Sequence, residues 1–274
     1  MSIRRTALET LTEITDKGAY ANLTLKEALR GLEDRDAKWV SAAVYTTLGH
    51  LLYIDHVIAA YTKGSIKPQI RGILRLGVCQ VLYMGVPDSA ACNESVKLAK
   101  EIGKGPLSGF VNGVMRNICR NKDNPPPLPG EPVKRLSIQY SYPEYLVKEY
   151  MGQYGAGFTE AMLSAMSDPG CMTVRAQYPY TSEQLEKALE ERSIGFSRGR
   201  IVEDAFKLEK GFDVTKEPLF TEGRITVQSE SAMLVCRALE PKEGMHILDV
   251  CAAPGGKSAY IASLTQCGAV IDSW

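Results

Sequence analysis

The sequence predicts a multidomain protein: an all-α domain over residues 1–124, a proline-rich connector over 125–133, a small α+β domain over 134–221, and the opening of a Rossmann-like α/β domain over 222–274. Three observations carry that prediction. Apolar residues recur at helical spacing throughout the first domain. The run Asn124-Pro125-Pro126-Pro127-Leu128-Pro129-Gly130-Glu131-Pro132 then forbids helix and favours an extended connector. Towards the end of the chain an apolar strand runs into a glycine-rich loop and a further helix, which is how a dinucleotide-type fold begins.

In the first domain the helical spacing is set by Leu8, Leu11 and Ile14, by Val40, Val44, Leu48, Leu51 and Ile58, and by Ile70, Ile73, Leu74, Val81 and Leu82. Segments around Val96–Ile102 and Phe110–Ile118 continue it, and Gly31, Gly64, Gly85 and Gly103 to Pro106 break it. Proline is absent from the helix interiors. Beyond the connector, Pro143–Tyr154 and Thr159–Met166 read as helices, Met172–Tyr178 as a strand and Ser182–Arg192 as a charged helix. Thr181 is placed to cap that last helix, with Gln184 three residues on. A short strand follows at Ile225–Gln228, a helix at Ser231–Leu239, a turn at Pro241–Gly244, the strand His246–Val250, and a helix through Ala259–Leu264.

With 45% hydrophobic and 23% charged residues, the composition argues against disorder, and there is no apolar run long enough for a signal peptide or a membrane span. The expected location is the cytoplasm, with no membrane partner. Cys79, Cys92, Cys119, Cys171, Cys236, Cys251 and Cys267 contain no Cys-x-x-Cys pair, so reduced thiols and no metal site are expected. Net charge is zero, yet residues 1–124 carry 17 Lys and Arg against 12 Asp and Glu, while the remainder carries 15 against 20. The basic half is the better match for a polyanion.

The chemistry concentrates in Asp249-Val250-Cys251-Ala252-Ala253-Pro254-Gly255-Gly256-Lys257-Ser258. Small residues and two glycines stand where a strand turns into a helix, so a ligand can approach the backbone, and the free N–H groups of the helix start favour a carboxylate or phosphate. The plainer alternative is a turn that only joins strand to helix. A nucleoside-triphosphate loop shares the ending Gly256-Lys257-Ser258, but it requires glycine where Cys251 stands.

Cys251-Ala252-Ala253-Pro254-Gly255-Gly256-Lys257 after a strand ending Leu248-Asp249 resembles the cofactor loop of RNA cytosine-5 methyltransferases. Gly223-Arg224-Ile225-Thr226-Val227-Gln228-Ser229-Glu230-Ser231-Ala232-Met233 resembles the block that precedes it in that family. The helical domain resembles the NusB-like RNA-binding fold attached to small-subunit ribosomal RNA methyltransferases of the Sun/Fmu type. The matching blocks are Leu74-Arg75-Leu76-Gly77, Val86-Pro87 through Ala91-Cys92-Asn93-Glu94-Ser95-Val96, and Gly109-Phe110-Val111-Asn112-Gly113-Val114-Met115-Arg116. Ser141-Tyr142-Pro143 and Thr173-Val174-Arg175 fit that subfamily's intermediate domain.

The resemblance implies S-adenosylmethionine as cofactor, held by residues 251–257, and small-subunit ribosomal RNA as partner. It also implies a cysteine thiolate that adds to C6 of the target cytosine so that C5 can accept the methyl group, with a second cysteine assisting elimination. In the family those thiols follow proline and threonine, and no cysteine of this chain does. The expectation is a C-terminally truncated chain that lacks the catalytic cysteines, is inactive alone, and has a loosely held last third with exposed strand edges. Asp272 falls near the position where the family carries a ribose-binding acid, but its spacing departs from the pattern and it is not assigned.

Arg71, Arg75, Arg116 and Arg120 form two i,i+4 pairs on predicted helices and are candidates for RNA phosphate contacts. Solvated or internally paired arginines remain the alternative. A second functional reading is a NusB-like module that binds RNA or a transcription factor and carries a vestigial C-terminus.

Overall fold

The structure, a computed structural model, describes residues 2–167, 170–209, 214 and 217–274. The chain forms two compact units, Met1–Asp168 and Pro169–Trp274.

The first unit is helical. Its elements are α1 (Ile3–Lys17), α2 (Ala21–Ala28), α3 (Asp34–Gly49), α4 (Leu51–Ala60), α5 (Pro68–Leu82), α6 (Asp88–Glu101), a 3-10 turn (Gly105–Leu107), α7 (Ser108–Arg120), α8 (Pro132–Tyr140), α9 (Glu144–Tyr154) and α10 (Ala156–Ser167). Ser2 caps α1 by accepting from the Arg5 N–H, and Gly18 ends it in the left-handed conformation at φ 72°. Helix α5 is the hub, buried from Gly72 through Gln80 and touched by α1, α3, α4, α6 and α7.

Two glycines make that crowding possible. A Cβ at Gly72 would lie 2.6 Å from Leu8 Cδ1, and one at Gly77 would lie 2.6 Å from Ser95 Oγ and 2.8 Å from Met115 Sδ. The Leu74-Arg75-Leu76-Gly77 block is therefore a packing requirement first.

The proline-rich segment was expected to end the first domain, and Pro132 indeed opens a new helix at its N1 position, where a missing N–H costs nothing. That helix, α8, was not anticipated, and α8–α10 cluster with the first unit. They share a small core of Leu136, Val147 and Leu163. The segment is also held on this unit, with His56 Nε2 3.2 Å from the Pro127 carbonyl and Tyr53 N donating to Ser141 Oγ at 3.3 Å.

The second unit contains β1 (Thr173–Ala176), α11 (Ser182–Glu191), β2 (Phe196–Arg198), β3 (Phe206–Leu208), α12 (Pro218–Thr221), β4 (Ile225–Val227), α13 (Glu230–Ala238), β5 (His246–Asp249), α14 (Gly256–Leu264) and β6 (Val270–Ser273). Among the described residues β2-β3-β1-β4 form an antiparallel sheet, with Val174 opposite Phe206 on one side and Val227 on the other. The expected capping box of α11 is formed: Thr181 Oγ1 accepts from Gln184 N at 3.3 Å, and Gln184 Oε1 accepts from Thr181 N at 2.9 Å.

Strand β4 was expected to open the last domain; it pairs instead with β1, so the antiparallel sheet straddles the anticipated division at 221/222. Strands β5 and β6 are parallel, in register from His246↔Val270 to Asp249↔Ser273, and joined through α14. This is the first βαβ unit of a Rossmann-like arrangement. No helix among the described residues is long and apolar enough to cross a membrane.

Candidate cofactor site

Residues 251–257 form one contiguous turn between β5 and α14. Gly255 N donates to the Ala252 carbonyl at 2.5 Å, and Gly255 takes φ 99° as N-cap of α14, a conformation that demands glycine. A Cβ at Gly255 or Gly256 would meet no heavy atom within 4 Å, so both face open space. Gly255 has no side chain with which to cap the helix, and the first intrahelical bond is Ala259 N to the Gly255 carbonyl at 2.9 Å. The N–H groups of Gly256, Lys257 and Ser258 precede that bond and are open to a ligand.

The turn is fixed from below and beside. Asp249, the last residue of β5, accepts from Ser258 Oγ at 2.7 Å through one oxygen and from Cys251 N at 3.2 Å through the other. These bonds, the one from Ser258 foremost, hold its carboxyl below the usual aspartate range. Ala252 N donates to the Trp274 carbonyl at 3.1 Å, and Trp274 N donates to the Asp249 carbonyl at 3.0 Å. Asp272, exposed on β6, pairs in register with Leu248 and so lies beside the loop end of β5.

The loop also leans on a buried cation that the sequence pattern did not single out. Arg175 of β1 is fully buried; Nε donates to Gln228 Oε1 at 2.6 Å, and Nη1 donates to Gln177 Oε1 at 2.8 Å and the Ala176 carbonyl at 3.0 Å. Nη2 reaches the Gly256 carbonyl at 3.4 Å, and the guanidinium stands 4.8 Å from the Tyr260 ring centroid. Burial lowers its pKa to about 10. None of its hydrogen bonds among the described residues is to a carboxylate, so the charge is spread over amide oxygens and an aromatic face. An arginine between Val174 and Ala176 in a predicted strand was the one available sign of this role.

Cys236, on α13, is buried, its Sγ 3.6 Å from the Lys257 carbonyl, and burial raises its thiol pKa. Cys251 is exposed on the turn itself. A mainly apolar cavity of about 660 Å³ beside β5 is lined by Val235, Leu239, Leu248, Val250, Cys251 and Lys257, among others.

The four arginines divide. Arg75 is buried, with Nε and Nη2 on the two oxygens of Asp55 at 2.7 and 2.6 Å and Nη1 on Thr15 Oγ1 at 3.1 Å, so each of its three nitrogens is engaged inside the protein. Its candidacy as an RNA contact is corrected to an internal ion pair. Arg71 is half-exposed and reaches Asp16 Oδ1 at 3.4 Å. Arg116 and Arg120 are exposed on α7. Among the described residues no group of three or more His, Cys, Asp or Glu side chains is placed to hold a metal ion.

A βαβ unit with a glycine-rich turn, following a helical unit and an antiparallel α+β sheet, defines the class of fold, and known proteins resemble it part by part. Residues 1–120 match the NusB family, residues 142–215 the ferredoxin-like domain of RsmF/B-like methyltransferases, and residues 236–273 the 16S rRNA methyltransferase RsmB/F family. The chain is 36% identical over 271 residues to the probable ribosomal RNA small subunit methyltransferase B of Bacillus subtilis (strain 168), covering 97% of this chain and 60% of that protein. It is 29% identical over 270 residues to the ribosomal RNA small subunit methyltransferase B of Vibrio cholerae serotype O1, covering 97% and 61%. The crystal structure of PH0851 superposes over 100% of this chain and 63% of its own with a TM-score of 0.69 at 19% identity, a likeness of fold. The chain is thus similar over nearly its whole length to proteins named ribosomal RNA small subunit methyltransferase B, and it spans about 60% of the length of these curated relatives.

Proposed function

We propose that this chain contributes the RNA-binding and cofactor-holding portion of an S-adenosylmethionine-dependent methyltransferase that forms 5-methylcytosine in small-subunit ribosomal RNA. The observation that carries the reading is the turn at Gly255, which leaves the first amides of α14 open at the end of the parallel β5–β6 pair. Bound there, S-adenosylmethionine supplies an electrophilic methyl group on a sulfonium. Residues 251–257 form the cradle: open amides of the α14 start take its carboxylate, and the absent Cβ atoms at Gly255 and Gly256 leave room for it. Asp249 keeps the turn in shape through Ser258 and Cys251 N.

No cysteine of this sequence follows proline or threonine, Cys236 is buried, and Cys251 belongs to the cradle itself. The proposal is accordingly that these 274 residues bind the cofactor without transferring its methyl group. Calorimetric titration with S-adenosylhomocysteine tests the cradle. The wild-type chain is expected to bind it, and Gly255→Val, which cannot take φ 99° without strain, is expected to lose binding at least about tenfold. Equal binding by the variant, or none by the wild type, rejects the cradle. Incorporation of labelled methyl groups into ribosomal RNA by the chain alone rejects the division of labour.

A further inference from the structure

A cleft of about 410 Å³ opens between α6 and α7, lined by Asp88, Ser89 and Asn93 from the one helix and Arg116 and Arg120 from the other, with thiols below. Arg116 and Arg120 are one helical turn apart and exposed, and among the described residues neither side chain has a carboxylate partner or a hydrogen bond. They differ in this from Arg75, whose fork is filled by Asp55, and from Arg135, which Glu160 engages at 3.0 Å.

The carboxylate lining the cleft is already occupied, because Lys122 Nζ lies 2.9 and 3.0 Å from the two oxygens of Asp88. With Lys122 answering Asp88, the two guanidiniums leave the rim positive. Below them Cys92 and Cys119 touch, Sγ to Sγ 3.7 Å, and burial together with that contact pushes the Cys119 thiol up to about 12. The Cys119 thiol therefore adds no negative charge at neutral pH. Ser89 and Asn93 bring a hydroxyl and an amide to the same wall.

We propose that this cleft seats a phosphodiester of the RNA backbone, gripped by the forks of Arg116 and Arg120 and oriented by Ser89 and Asn93. The inference rests on the RNA reading given under the proposed function and locates that contact on the helical unit. A guanidinium presents paired donors that match phosphate oxygens, and a polar, positively charged cleft lacks the buried apolar anchors of a protein-docking site. The cleft also replaces the Arg71/Arg75 face, whose positive charge is answered by Asp16 and Asp55.

The test is fluorescence anisotropy of a labelled RNA hairpin with a single-stranded loop, titrated with the full chain across a salt series. The double variant Arg116→Gln/Arg120→Gln is expected to bind about tenfold more weakly at low salt, and its log–log salt slope should be shallower by about 0.7–0.9, the release expected for one neutralised phosphate. Asp88→Asn removes the negative charge from the rim and is expected to tighten binding about two- to threefold. This opposite sign keeps the test readable even if the double variant folds poorly. Arg71→Gln should leave both affinity and slope unchanged.

Wild-type binding with an unaltered slope in the double variant overturns the cleft and leaves the RNA reading standing. No RNA binding by the wild type removes both. Release of the hairpin by inorganic phosphate in excess of what matched chloride achieves marks a site for free anions and overturns the assignment to RNA.

Discussion

Helix α5 and strand β5 are both apolar segments at the heart of their units, and their surroundings differ. Around α5, five helices close on every side: Ile73, Leu74, Val78 and Cys79 are fully buried, and even Gln80 is covered. Beside β5 stand α13, α14 and β6, yet Leu248 is 59% exposed and Val250 66%. A parallel strand with Ile247 and Leu248 adjacent, and Val250 just beyond Asp249, places apolar residues on both of its faces. An apolar pattern thus specifies a surface that needs covering, and only the neighbours present decide whether it is covered.

The largest expected effect follows from that contrast. Leu74→Ala removes a fully buried side chain from a closed core and is expected to cost about 2–5 kcal/mol. Leu248→Ala removes a similar side chain from an open face and is expected to stay within about 0.5 kcal/mol. Urea unfolding of the two variants beside the wild type measures both. A cost at Leu248 as large as that at Leu74 would mean that β5 is enclosed in solution, by self-association for instance, and a dilution series would reveal it.

The two buried arginines sharpen the comparison at the level of charge. Arg75 meets a carboxylate, Asp55, whereas Arg175 is compensated by Gln228, Gln177, two main-chain carbonyls and the face of Tyr260. Removing Arg175 leaves the buried Gln228 Oε1 without its donor, in a site where Gln228 Nε2 is already buried without a partner among the described residues, while Gln177 Oε1 keeps Thr226 Oγ1 at 3.2 Å. Arg175→Met is expected to cost about 1–3 kcal/mol. It should also raise hydrogen exchange selectively at Gly256–Tyr260, since the guanidinium bridges β1 to the start of α14. Exchange rising equally throughout the second unit would reduce Arg175 to a general packing element.

How much of this was legible follows from how local each cause is. Helices α1, α3–α7, α9 and α10, the Thr181 cap and the glycine-rich turn each depend on residues a few positions apart, and each was readable from spacing or motif. Strands β2 and β3 are three residues long, too short to display alternation, and β4 finds its partner β1 about fifty residues away in sequence. Helix α8 was hidden because Pro132 reads as part of a linker until its N1 position is seen. The pairing of Arg75 with Asp55 and the burial of Arg175 are tertiary facts. The i,i+4 spacing that suggested an exposed basic face says which side chains share a side of a helix and nothing of what that side packs against.

The smallest effect concerns the carboxylate that ties α13 to the loop before β3. Glu230 accepts from Ile201 N at 2.5 Å, Val202 N at 2.9 Å and Lys207 Nζ at 2.8 Å. The Lys207 bond leads, and the three together draw its carboxyl from the usual 4.5 down to about 2. A depressed carboxyl pKa means that the unfolded chain takes up the proton first. The contribution of Glu230 is therefore complete above about pH 4.5 and fades as the pH falls towards 2. Partial solvent access keeps it small. Stability of the wild type should decline more steeply than that of Glu230→Gln across this window, the two curves running parallel above it. Parallel curves throughout would show that the Lys207–Glu230 pair adds nothing to folding, and that α13 is held by its buried Met233 and Cys236 alone.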